Sequence, residues 1–221
     1  MLIPREAVAG SVLIRSGRWW LVAVAGLLLA GCSLTGPGPA IAPARVDVFT
    51  AGDEGYQKFR IPGVVVTPAG TLLAYAEARR DGGADWGAID IVLRRSEDGG
   101  DRWSDLQVIG RVKGPLRKNP HAPSHHLEKP GAITYNNPTA IVDRRTGAVH
   151  MLYCIEYERA FYLRSDDDGR TFSEPVEITA AFEGFRAAYD WKVIAIGPGH
   201  GIHLRSGRLI APVWLSTADG G

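Results

Sequence analysis

Short apolar runs recur along the chain from Val46 onward, and clusters of glycine, aspartate, proline and serine separate them. Neighbouring runs flank tight turns, which is the pattern of antiparallel hairpins. The runs that predict strands are 63–67, 71–76, 89–95, 140–143, 148–155, 161–164, 202–204 and 208–214. None of this region carries the apolar repeat of an amphipathic helix. The sequence therefore predicts an all-β fold.

Two of the predicted turns follow one pattern of serine, aspartate, glycine and an aromatic residue. The pattern occupies Ser96, Asp98, Gly100 and Trp103, and again Ser165, Asp167, Gly169 and Phe172. In such a turn the serine and aspartate side chains bond the backbone, glycine supplies an unusual φ, and the aromatic ring packs under the hairpin. The pattern resembles the Asp box of β-propellers, and we interpret it as a folding device without a catalytic role. Repeated hairpins of this kind predict a β-propeller, and a β-sandwich is the alternative.

The N-terminal segment predicts export of the chain. Arg15 and Arg18 precede an apolar run at 19–30 that is too short for a comfortable membrane span. The run ends in Leu29-Ala30-Gly31-Cys32, which resembles a bacterial lipoprotein signal in which the cysteine receives the lipid. The alternatives are an uncleaved anchor helix or a secretory signal cleaved elsewhere. We therefore predict a signal peptide at 1–31, lipidation of Cys32, a flexible tether at 32–44 and a propeller domain at 45–221 that is held on the cell envelope.

Composition and charge argue against several classes of protein. Hydrophobic residues make up 45% of the chain, and 25 Lys+Arg oppose 24 Asp+Glu, which is ordinary for a globular protein and gives no reason to expect nucleic acid. Cys154 lies in an apolar run and is predicted to be a buried hydrophobe. His121, His125 and His126 lie in an insertion without the carboxylate spacing of a metal site. No metal and no cofactor is predicted.

An ordered set of short motifs points to one enzyme family. The motifs are Tyr56-Gln57-Lys58-Phe59-Arg60-Ile61-Pro62, then 76–80, 85–90, 137–139 and 197–201. Together they resemble the exo-α-sialidase (neuraminidase) family from about Val46 to Gly221. The resemblance implies a six-bladed propeller, of which this chain would supply about three blades and the front half of the site. It implies release of terminal sialic acid from glycoproteins, glycolipids or oligosaccharides.

The resemblance also implies which residues hold the acidic sugar. Arg60 matches the first of the arginines that grip the sugar carboxylate, and the guanidinium fork suits that task because it pairs with two oxygens. Ile61 follows Arg60 in the same motif and is expected to contact the substrate. Arg79 matches an arginine beside the carboxylate, with Arg80 as its competitor.

Asp85 is the expected general acid and base, protonating the leaving glycosidic oxygen and then deprotonating the attacking water. Asp81 and Asp90 are competing carboxylates. Asp90 lies inside a predicted strand, where it is expected to orient an arginine instead.

The nucleophile is not assigned from this sequence. Sialidases use a tyrosine where other retaining glycosidases use a carboxylate, and a glutamate activates it. The resemblance implies that both come from later blades, so these roles are not carried onto Tyr153, Tyr157 or Glu156. We therefore expect negligible turnover of sialosides by this chain alone. The alternatives are a carbohydrate-binding propeller that does not cleave, and a propeller hydrolase or scaffold that shares only the Asp boxes.

Overall fold

A computed structural model describes residues 45–121 and 131–218 of the chain. The predicted signal peptide at 1–31, the tether at 32–44, and Cys32, His125 and His126 lie outside the described residues. The regular secondary structure of the described part is almost entirely β, as predicted. Its helical pieces are a 3-10 turn at Asp53–Gly55 and the single-turn helix α1 at Ala180–Glu183. Among the residues described, no helix has the length and apolar character needed to cross a membrane.

Two four-stranded antiparallel sheets form the bulk of the fold. Blade 1 consists of β1 (Lys58–Val66), β2 (Leu72–Arg79), β3 (Ile89–Ser96) and β4 (Gln107–Ile109). Blade 2 consists of β5 (Tyr135–Val142), β6 (Val149–Ile155), β7 (Arg159–Ser165) and β8 (Val176–Glu177). In both blades the strands are paired in chain order, which is the meander of a propeller blade.

A third sheet follows blade 2 and has the form of an interrupted hairpin. It contains β9 (Val193–Ile196), β10 (Ile202–His203), β11 (Leu209–Ile210) and β12 (Val213–Ser216). β9 pairs with β12 and β10 pairs with β11, and the Gly197 N–H donates to the Pro212 carbonyl at 2.9 Å between the two ladders. The four short strands are therefore two arms of one hairpin, broken at the Gly-Pro-Gly-His segment.

The first arm of each sheet is kinked beside a proline. In β1 the register shifts between Arg60 and Gly63, and Ile61, just before Pro62, has a φ of 52°. In β5 the shift lies between Asn136 and Thr139, and Asn137 before Pro138 has a φ of 55°. A positive φ is strained for a β-branched residue such as Ile61. These bulges bend each first strand, and at Arg60 the bend comes directly after a predicted site residue.

Tyr75 ties the three sheets together where their first strands meet. Its ring lies over Gly63 so closely that a Cβ there would stand 2.2 Å from the ring. Its hydroxyl accepts from the Ala140 N–H at 3.2 Å and donates to the Gly199 carbonyl at 2.7 Å. One fully buried side chain of blade 1 therefore fixes β5 and the third sheet, and with them the relative position of the kinked segments.

The two repeated turns have the geometry expected of a folding device. In the first, Ser96 Oγ accepts from the Gly100 N–H at 2.8 Å, and Asp98 accepts from Ser96 Oγ and from the Arg102 N–H. In the second, the corresponding atoms of Ser165, Asp167, Gly169 and Thr171 make the same bonds. Phe172 packs against the main core, whereas Trp103 is half-buried and its indole N–H donates to Gly100 O. Both turns lie at the ends of β3 and β7, away from the loops that begin those strands.

Asp167→Asn is expected to lower the free energy of unfolding at pH 7 by about 1 kcal/mol, a value discounted for solvent exposure. Hydrogen bonds from Thr171 hold the pKa of Asp167 at about 2, below its usual 3.8. Because the pKa is lower in the folded state, this stabilisation is complete above pH 3.8 and disappears as the pH falls towards 2. Urea denaturation at pH 7 and pH 2 measures it. A difference between wild type and variant that is equal at both pH values contradicts the assignment.

Candidate active site

The predicted site residues lie on two neighbouring strands and the loop that joins β2 to β3. Arg60 in β1 lies opposite Glu77 in β2, and Lys58 lies opposite Arg79. Directly opposed residues in an antiparallel pair point to the same face of the sheet, as do residues two apart on one strand. Arg60, Glu77 and Arg79 therefore share one face, and Asp85 reaches that face from the loop at 80–88.

Both arginines converge on Asp85. Its Oδ1 accepts from Arg60 Nη1 at 3.2 Å and from Arg79 Nη1 at 2.8 Å. The exposed fractions of the side chains differ sharply: 45% for Arg60, 57% for Asp85 and 2% for Arg79. The structure thus brings the three predicted polar residues together, with Arg60 and Asp85 open to solvent and Arg79 beneath them. Ile61 lies half-buried at the adjoining bulge.

All three guanidinium nitrogens of Arg79 donate hydrogen bonds to protein atoms. Its Nε and Nη2 donate to Glu77 Oε2 at 3.1 and 2.5 Å, and its Nη1 donates to the carbonyls of Gly83 and Ala84 as well as to Asp85. Burial opposes its charge, but Glu77 and Asp85 together more than offset this, so the pKa of Arg79 lies above its ordinary value. In this arrangement Arg79 presents no open face to a ligand. It positions the loop and the carboxylate of Asp85.

Glu77 is a site residue that the sequence interpretation did not identify. Its side chain is completely buried, and its Oε1 accepts from the backbone N–H of Asn137 at 2.8 Å. Asn137 is the kinked residue of β5, so one carboxylate joins Arg79 in blade 1 to the bulge of blade 2. The available signal was an acidic residue two positions before an arginine in an otherwise apolar strand, since that spacing places both on one face.

The distal end of the loop is anchored to blade 2. The ring of Trp86 packs on Tyr157 with centroids 4.7 Å apart. The Gly87 N–H donates to Thr134 Oγ1 at 3.0 Å, and the Thr134 hydroxyl is also within 3.0 Å of the Gly87 carbonyl. Because Arg79 holds 83–85 and blade 2 holds 86–87, Asp85 is carried on a loop that is fixed on both sides.

The competing residues occupy other positions. The carboxylate of Asp90 binds Arg80 at 3.0 Å and Arg111 at 2.7 Å, so it orients two arginines and does not face Asp85. Arg80 belongs to that second cluster. Asp81 lies exposed at the start of the loop.

Two buried tyrosines of blade 2 are held in the protonated form. Burial raises the pKa of Tyr153 and of Tyr157 well above the usual value for tyrosine, and the carboxylates of Glu77 and Asp85 raise that of Tyr157 further. Neither tyrosine has the lowered pKa of an activated nucleophile. Among the described residues, the site therefore combines a carboxylate, an open cation and a buried positioning pair.

Several known proteins are similar to this chain in sequence and in fold. The BNR repeat-like domain family matches residues 70–220. An exo-alpha-sialidase of Aspergillus fumigatus is 33% identical, over 72% of this chain and 41% of the relative. A sialidase of Bacteroides fragilis is 29% identical, over 76% of this chain and 32% of the relative. The solved structure of the Hadza microbial sialidase Hz136 covers 75% of this chain with a TM-score of 0.61 at 27% identity, and 34% of its own chain is covered. The chain thus spans well under half the length of these relatives.

Proposed function

The chain belongs to the BNR repeat-like domain family and is similar to sialidases, and from this we propose that it contributes the proton donor and a carboxylate-binding arginine to an exo-α-sialidase. In this proposal Asp85 is the general acid and base, Arg60 binds the substrate, and Arg79 positions Asp85. The substrate is a sialylated glycoprotein, glycolipid or oligosaccharide, from which terminal sialic acid is released. Ile61 lines the site beside Arg60.

The observation that carries the proposal is the convergence of Arg60 and Arg79 on one carboxylate. The anomeric carbon of sialic acid bears a carboxylate, and an open guanidinium can pair with it. Arg60 now contacts Asp85 at 3.2 Å, the longer of the two contacts to that oxygen. A bound sugar carboxylate would take the place of Asp85 on Arg60. Asp85 would then keep only its contact with Arg79, which would hold it beside the glycosidic oxygen.

A carbohydrate-binding role without cleavage is the second candidate, and the exposure of Arg60 favours it, because an open guanidinium is sufficient to pair with an acidic sugar. Retaining sialidases need an activated tyrosine. Tyr153 and Tyr157 are not assigned that role, so their burial and raised pKa values do not decide between binding and cleavage. The described residues therefore support recognition and proton donation more directly than covalent catalysis.

Arg60→Gln is expected to weaken binding of a monosialylated trisaccharide by about ten- to a hundredfold, because it removes a charge-assisted hydrogen bond to the sugar carboxylate. Isothermal titration calorimetry on the whole protein measures it. Arg164→Gln is the matched control, since Arg164 has similar exposure and also pairs with an aspartate, but lies in blade 2. Equal loss in both variants, or no binding by the wild type, contradicts the proposal.

We further propose that the protein is exported and attached to the bacterial cell envelope through lipid on Cys32. The support is the basic and apolar segment that ends in Leu29-Ala30-Gly31-Cys32. A propeller held outside the cytoplasm would meet glycoconjugates directly.

A further inference from the structure

A second cleft opens next to the Asp85 loop and has no part in the proposed chemistry. Its volume is about 360 Å³. Its polar wall is formed by Arg80, Asp90, Arg111 and Tyr135, and its apolar wall includes Leu116 and Ile133. Ala88 and Ile89 line both this cleft and the smaller pocket that contains Arg79. The loop at 80–88 borders this cleft through Arg80 and Ala88, and it carries Asp85 between these two residues.

Asp90 holds two guanidinium groups in fixed positions within the cleft. Its Oδ2 binds Arg80 Nη2 at 3.0 Å and its Oδ1 binds Arg111 Nη2 at 2.7 Å. The Tyr56 hydroxyl donates to the same carboxylate at 2.8 Å, and Arg80 also stacks on the Tyr56 ring. The side chain of Asp90 is itself nine-tenths buried. A buried anion thus anchors both cations through one nitrogen each.

The remaining donors of the two arginines face solvent. The exposed fractions are 42% for Arg80 and 61% for Arg111. Across the described residues, the hydrogen bonds of both guanidiniums are made through Nη2, which leaves Nε and Nη1 of each for a ligand. Two positive charges oppose one carboxylate, so this cluster carries a net charge of about +1. Two pre-oriented guanidiniums with free donors are suited to an oxyanion.

We propose that the cleft between Arg80 and Arg111 binds an oxyanionic substituent, a carboxylate or a sulfate ester, on a glycan whose terminal acidic sugar lies at Arg60. Leu116 and Ile133 offer an apolar wall for the non-polar face of the sugar ring that carries the substituent. The oxyanion site rests on its own geometry. Its link to a glycan rests on the proposed function, because only that function places an acidic sugar beside the loop that carries Asp85.

The test compares glycans with one and two acidic groups on the whole protein. Calorimetry with a monosialylated trisaccharide, a disialylated tetrasaccharide and a sulfated monosialylated trisaccharide separates the two sources of the oxyanion. The wild type is expected to bind at least one of the doubly acidic glycans about tenfold more tightly than the singly acidic one. Arg111→Gln is expected to remove that preference while leaving the affinity for the singly acidic glycan unchanged. Arg102→Gln, an exposed arginine in the turn after β3, is the control.

Two further measurements test the cleft in other ways, one by filling it and one by detecting a bound oxyanion directly. Leu116→Trp fills the cleft with every charge intact and should also remove the preference, with thermal melting confirming that each variant is folded. Inorganic sulfate, followed by NMR, should shift the amide signals of Arg111 and Val112 in the wild type and not in Arg111→Gln.

The outcomes distinguish the cleft from the proposed function. Sulfate shifts at Arg111 without any binding of sialosides would support the oxyanion site and overturn the proposed function. A wild type without preference for two acidic groups, or a preference that survives Arg111→Gln, would overturn the proposed oxyanion binding in the cleft. Neither result would bear on the proposed roles of Arg60 and Asp85.

Discussion

Glu77→Ala is expected to lower the free energy of unfolding by about 3–5 kcal/mol, because it leaves the charge of Arg79 buried without its main partner. Glu77 and Arg79 are 0% and 2% exposed, and two guanidinium nitrogens of Arg79 bind one carboxylate oxygen. The same substitution frees the Asn137 N–H in the bulge of β5, which adds the cost of an unpaired buried donor. Urea denaturation followed by circular dichroism measures the change.

Glu97→Gln is the matched control for Glu77. Glu97 likewise forms ion pairs, in its case with Arg95 and Arg170, but all three groups are closer to solvent, so a loss of no more than about 1 kcal/mol is expected. The double variant Glu77→Leu with Arg79→Met distinguishes the free-energy cost of an unpaired buried charge from the cost of a cavity. It should recover part of the stability lost in Glu77→Ala, since replacing a whole buried ion pair costs less than breaking it. A double variant less stable than Glu77→Ala would contradict the burial argument.

The long central strands could be predicted from sequence because their apolar runs are bounded by clear turn residues. β2, β3, β6 and β7 fall where the pattern placed them. The short outer strands β4 and β8 were not predicted, since two or three residues at a sheet edge carry no apolar alternation. β9 was also missed, although it is fully buried, because its apolar run is only four residues long.

The kinks in β1 and β5 were also not predicted from the sequence. The Phe59-Arg60-Ile61-Pro62 motif and the Asn137-Pro138 pair were interpreted only as family motifs, and the positive φ of Ile61 and Asn137 depends on how neighbouring blades pack. The strand predicted at 208–214 is divided at 211–212 for a related reason, because its partner arm is broken at Gly197. Tertiary contacts decide these conformations, and a single sequence does not display them.

In the site, the sequence indicated which polar residues come together, but it did not indicate how deeply each side chain is buried. The motifs selected Arg60, Arg79 and Asp85, and the structure brings these side chains together. The burial of Arg79 could not be predicted, because it depends on Glu77 across the strand and on the carbonyls of Gly83 and Ala84 in the loop. Arg79 was expected to touch substrate, and its geometry instead suits the positioning of Asp85.

Asp85→Asn, in a sialidase-active protein that contains this sequence, is expected to lower kcat/KM on natural sialosides by about 10²- to 10⁴-fold, the usual contribution of a general acid. The amide cannot donate the proton that a sugar alkoxide needs in order to leave. A sialoside with a phenolate of low basicity needs no such proton, so its cleavage should fall much less. Comparing kcat/KM on both substrates measures the effect, and equal loss on both would indicate a purely structural role for Asp85.

The contacts of Asp85 allow this variant to remove the proton donor while the structure of the loop is kept. Asparagine is isosteric, and its side-chain oxygen can still accept from Arg79 Nη1, so the loop should keep its anchor at Gly83 and Ala84. Asp81→Asn is the matched control, because it removes an exposed carboxylate from the same loop. A large loss in Asp81→Asn with unchanged cleavage in Asp85→Asn would transfer the acid role to Asp81. Asp85 is therefore the expected acid because of its two partners: a sugar carboxylate would replace it on the exposed Arg60, while the buried Arg79 would keep it in place.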